Sequence, residues 1–78
     1  MVKTEKKLHK LRYWREVLGL KQDDMATLLG CTTSNYCIKE AGKTEIKRSE
    51  MLLVQKTFNT MRAKARESAL TLDDIFLP

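Results

Sequence analysis

Residues 28–37 read "LLGCTTSNYC". Two leucines run into Gly30, and Thr32 opens a stretch of small, mostly uncharged side chains. Glycine takes the left-handed backbone that closes a helix, and threonine accepts a hydrogen bond from the first free N–H groups of the next one. The pattern predicts a helix ending at Gly30 and another beginning at Thr32, with a tight bend between them. Cys31, in the bend, suits a small apolar plug.

Upstream, Met25, Ala26 and Leu29 form an inward stripe, and Asp23 and Asp24 fall in a first turn, beside the positive end of the helix dipole. This predicts a helix over 22–29, preceded by the apolar anchor Leu20. Downstream, a helix is expected over 33–41, stopped by Gly42. With Tyr36 pointing into the core, 100° per residue puts Ser34, Ile38 and Ala41 on the far side. Asn35 and Cys37 then lie on the flanks, and Thr33 lies at the start.

Leu8, Leu11, Trp14, Val17 and Leu18 recur at helical spacing, predicting a helix over 5–18 with Thr4 as its cap and Glu5 beside the dipole. Trp14 and Tyr13 are neighbours, so only one of the two can face fully inward. Past a basic connector, in which Ile46 is expected to pack inward, Ser49 is placed as the cap of a helix over 49–66. Its stripe is Met51, Val54, Phe58, Met61 and Ala65. Thr71 is expected to cap a short closing helix over 71–77. The reading is all-α: one domain, 1–78, built as a compact five-helix bundle.

The chain has 78 residues and a net charge of +5, all of it within the first 21 residues, since the rest sum to zero. A second basic cluster, Lys39, Lys43, Lys47 and Arg48, stands against Glu40 and Glu45. Two basic patches far apart in the chain point to a polyanion partner. No apolar run approaches the roughly 18 residues of a membrane span, and the first ten residues are too polar for a secretory signal. The expected setting is the cytoplasm of a bacterial host. Cys31 and Cys37 are too few for a disulfide scaffold, and His9 is the only histidine, so neither a metal nor another cofactor is expected. No nucleophile–histidine pair or phosphate loop is present, so an enzyme and a small-molecule substrate are not expected.

The run "GLKQDDMATLLGCTTSNYCIKEAGK", residues 19–43, resembles the Cro and phage-repressor helix-turn-helix family, also called the XRE family. The matching positions are Gly19, Leu20, Gln22, Met25, Ala26, Leu29, Gly30, Cys31, Thr32, Glu40 and Gly42, with Lys21 where the family usually has Ser or Thr. The tail "LTLDDIFL", residues 70–77, resembles the closing segment of small phage-type members. The resemblance implies a lambda-repressor-like domain with its helix-turn-helix at the second and third helices, the third lying in the major groove of operator DNA.

It implies that Gln22 contacts a phosphate and that Arg15 and Glu40 form a buried ion pair. Thr33, Ser34 and Ile38 correspond to base-reading positions, with the Ile38 methyls suited to a thymine methyl. Thr32 and Cys37 border that face, Asn35 and Lys39 are placed to add phosphate contacts, and Lys43, Lys47 and Arg48 fall where the family touches the DNA backbone. A homodimer is implied, with the tail and the outer side of the fourth helix as candidate surfaces unless they only close the monomer's core. The recognition face lacks Arg and Gln and carries Cys37 and Ile38. This leaves a second expectation, an anti-repressor whose same surface binds a partner repressor protein.

Overall fold

The computed structural model describes residues 8–77, and among these it holds five helices: α1 (His9–Val17), α2 (Gln22–Leu29), α3 (Thr33–Glu40), α4 (Arg48–Lys64) and α5 (Leu72–Phe76). No strand occurs among the described residues. α2 packs on α3 and α4, α1 on α3 and α5, and α5 on α4. The radius of gyration, 12.3 Å, is close to the ~11.5 Å of a compact chain this long. No helix among the described residues is long and apolar enough to cross a membrane.

The bend read from the sequence is present. Gly30 has φ +71°, and a Cβ there would meet nothing within 4 Å, so the glycine is needed for its dihedral angle and not for space. The Gly30 and Cys31 N–H groups bond back to the Thr27 and Ala26 carbonyls, closing α2. Two residues on, the Thr32 hydroxyl accepts the Asn35 N–H at 3.1 Å and opens α3. α2 has no side-chain cap at Lys21. Asp24 compensates, its Oδ2 accepting the Lys21 N–H at 2.8 Å.

The core holds Leu11, Met25, Ala26, Tyr36, Ile46, Val54, Phe58, Leu70, Ile75 and Phe76. Met51, Leu29 and Cys31 pack half-buried against it. Thr71 caps α5 as expected, its hydroxyl accepting the Asp74 N–H at 3.1 Å. Asn59 on α4 accepts the Leu70 N–H at 2.7 Å and donates to the Leu70 carbonyl at 3.0 Å, fastening the tail to α4. Leu70, Ile75 and Phe76 therefore complete the chain's own core, and Leu77 is the large apolar residue of the tail left exposed.

Several expectations need correction. α1 begins at His9, not at residue 5, because the Leu8 N–H is spent on the Glu40 carbonyl at 3.1 Å and Leu8 itself is not helical. The expected Thr4 cap and Glu5 lie outside the described residues. Val17 is exposed: the inner line of α1 runs through Leu11 and Arg15, and Val17 is turned off it. α4 starts at Arg48 because the Glu50 carboxylate accepts the Lys47 N–H at 3.0 Å, so Glu50 caps the helix and Ser49 lies inside it. α4 stops at Lys64, where Arg66 takes φ +61° and the Glu67 N–H bonds to the Arg62 carbonyl at 2.8 Å. Ala65 is consequently outside the helix and exposed.

Candidate nucleic-acid interface

The underside of α3 is built around one carboxylate. Glu40, the last residue of α3, accepts Arg15 Nε at 2.7 Å and Nη2 at 3.3 Å from α1, the Tyr36 hydroxyl at 2.7 Å, and Gln22 Nε2 at 3.2 Å from α2. Arg15 Nη1 goes on to the Leu20 carbonyl at 2.9 Å. The ion pair implied by the family resemblance is thus present, buried, and joined by two further donors. A buried charge without partners is costly, and here the fork of Arg15 and the tyrosine hydroxyl fill the carboxylate's lone pairs.

Burial alone would raise the Glu40 pKa. The Arg15 and Tyr36 hydrogen bonds, the Arg15 charge and the Gln22 amide outweigh it and hold the carboxyl below its ordinary value. Burial pushes the Tyr36 phenol well above its ordinary value, and donation to Glu40 adds to the shift. The cluster therefore sits as an ionised Glu40, a charged Arg15 and a neutral Tyr36, clamping α1, α2 and α3 together.

The opposite face of α3 carries Thr33, Ser34 and Asn35, all exposed, and Ile38, 40% exposed. Thr32, at the cap, is exposed as well, as are Lys43, Lys47 and Arg48 on the connector and at the start of α4. These eight side chains lie along α3 and the chain that follows it. They offer hydroxyl, amide and cationic groups around one apolar side chain, which suits hydrogen bonding, apolar contact and charge neutralisation.

Among the sequence-chosen residues, Gln22, Cys37 and Lys39 turn their side chains to partners within the chain. The Gln22 amide donates to Glu40 and accepts the Cys37 thiol at 3.0 Å. Both groups are half-buried beneath the outer strip. Lys39 reaches Glu50 on α4 at 3.4 Å with its side chain only 14% exposed, so it ties α3 to α4.

Sequence reasoning missed Asp23, whose Oδ1 accepts the Thr33 hydroxyl at 2.6 Å. It also missed Arg62, buried with its guanidinium 4.7 Å from the Trp14 ring centre and Nε donating to the Ser68 carbonyl at 2.7 Å. A signal for Arg62 existed, since Val54, Phe58 and Arg62 follow each other at intervals of four on one face of α4. The Tyr36–Glu40 bond was legible from the same interval on α3.

Compared with known proteins, the chain matches no family model, no curated protein and no solved structure.

Proposed function

We propose that α2 and α3 form a helix-turn-helix and that the chain is a phage- or prophage-type transcriptional regulator. In this reading α3 lies in the major groove of double-stranded operator DNA, and the protein acts by occupancy, without catalysis, in the bacterial cytoplasm. The observation that carries it is the division of α3. Tyr36 and Glu40 are held fast beneath, while Thr33, Ser34 and Ile38 stand outward on one side. Ser34 and Ile38 are placed to read base edges by hydrogen bond and methyl contact. Lys43, Lys47 and Arg48 supply the phosphate contacts that set the register. Two copies would place two such helices on half-sites one helical turn apart. Leu52, Leu53 and Leu77, exposed on α4 and after α5, offer apolar surface for a dimer.

Selection from random duplexes at physiological salt tests this: a discrete, two-fold related site should be enriched. With about five phosphates neutralised, log Kd against log salt should have a slope of magnitude about 4.5, binding weakening as salt rises. A flat salt response removes the electrostatic footing.

A second reading has its own observation. Gln22, Cys37 and Lys39 are bonded inside the chain, which thins the polar contacts available to DNA and leaves Ile38 prominent. The alternative is an anti-repressor that lays this strip on a partner repressor and inactivates it. That reading predicts release of a purified phage repressor from its operator by the chain, with no duplex enriched by the chain alone.

A further inference from the structure

The Thr33–Asp23 contact fixes the polarity of the first reading position on α3. Thr33 is the first residue of α3 and Asp23 the second of α2, and the bend at Gly30–Thr32 brings them together although they are ten apart in sequence. The separation, 2.6 Å, is that of a hydroxyl donating to an ionised carboxylate. A hydroxyl has one proton and two lone pairs, so this bond spends the only side-chain donor Thr33 has. Both residues are exposed, and among the described residues Asp23 Oδ2 accepts no hydrogen bond. The side-chain atoms this pair leaves to solvent are therefore both acceptors, Thr33 Oγ1 and Asp23 Oδ2, with a negative charge behind them.

We infer that this pair is a specificity filter that selects a base presenting an exocyclic amino group in the major groove, cytosine N4 or adenine N6. Guanine O6 and N7 and thymine O4 are acceptors and meet the pair lone pair to lone pair. The same charge repels a phosphate, so Thr33 is a base contact and not a backbone contact. The inference rests on the reading of α3 as the DNA-facing helix and adds the identity of the group read at one position.

The test starts from whatever duplex the intact chain enriches. Each adenine in it is replaced in turn by purine and each cytosine by 2-pyrimidinone, which delete the amino group alone. At one position in each half-site this should weaken binding of the native chain on the order of tenfold. In Thr33→Val, whose side chain is exposed and whose melting temperature should match the native one, the same replacement should have no effect. Asp23→Asn lets the amide donate to Thr33 Oγ1 and turns the hydroxyl proton outward. It should therefore accept guanine or thymine at that position.

An enriched site whose amino groups can all be deleted without loss, or one whose sensitivity survives Thr33→Val, overturns the filter and leaves DNA recognition standing. If the native chain enriches no duplex, DNA recognition falls and the filter falls with it.

Discussion

The two faces of α3 use opposite strategies with only eight residues. On the underside, Tyr36 and Glu40 are buried, and every lone pair of consequence is matched by a donor from α1, α2 or α3 itself. On the outer face, Thr33, Ser34 and Ile38 are exposed, and only Thr33 has a side-chain bond, to Asp23. The difference shows where rigidity comes from in a chain too short to bury a large core, since a domain of about this size buries only about 60% of its unfolded surface. A polar clamp beneath holds the helix, while Ser34 and Ile38 above it are exposed. If the two faces are independent in this way, substitutions beneath should cost stability and substitutions above should cost recognition.

The largest effect is expected at the carboxylate. Glu40→Gln leaves the buried Arg15 with only the exposed Glu16 carboxylate, 3.8 Å away, as countercharge, and thermal unfolding should show a loss of about 3 kcal/mol or more, on the order of 15 °C in a domain this small. A variant that melts with the native protein would mean the clamp contributes nothing. Next, Tyr36→Phe removes one donor to a buried charge while leaving the ring in place. Chemical denaturation should show a loss of about 2 kcal/mol.

The same cluster sets the pH range. Because Glu40 is held below its ordinary value of 4.5 in the fold, its contribution is fully present above that pH. It is lost as the pH falls through the depressed folded value. Because Tyr36 is held above its ordinary value of 10.0, its contribution is present below pH 10 and is lost as the pH rises beyond it. Unfolding followed against pH should show both limbs, and Glu40→Gln should flatten the acid one. The smallest stability effect belongs to the outer face. Ile38→Ala should move the unfolding free energy by less than about 0.5 kcal/mol while changing which duplexes are selected. Collapse of that variant would place Ile38 in the core and refute the phase assigned to α3.

Legibility followed locality. The bend, α2 and α3 could be read because Gly30, Thr32 and the Met25–Ala26–Leu29 stripe each act within a few residues. Ser34 and Ile38 on the outer side of α3 followed from Tyr36 by helical geometry alone, whereas Ala41, expected beside them, lies past the end of the helix and is half-buried. The start of α1 could not be read, because Leu8 is held by the Glu40 carbonyl, a partner 32 positions away. At α4 two local signals competed, and the Glu50 carboxylate displaced the Ser49 hydroxyl as the cap. Arg62 breaks the rule that charged side chains lie outward, and what permits it is the Trp14 ring on another helix. Within the site, the inward turn of Gln22 and the tether of Lys39 to Glu50 depend on tertiary neighbours, and so does the Asp23–Thr33 pair. Residue type and spacing located the strip. They did not reveal which of its groups were already occupied.

The central claim is that the outer face of α3 meets the partner while the underside does not. Backbone amide shifts measured as the chain is titrated with its selected duplex test this directly. The account predicts large shifts confined to residues 32–38 and 43–48, with the slowly exchanging amides of the underside unchanged in protection. Shifts centred on α1 and α5, with the outer strip of α3 silent, would contradict it.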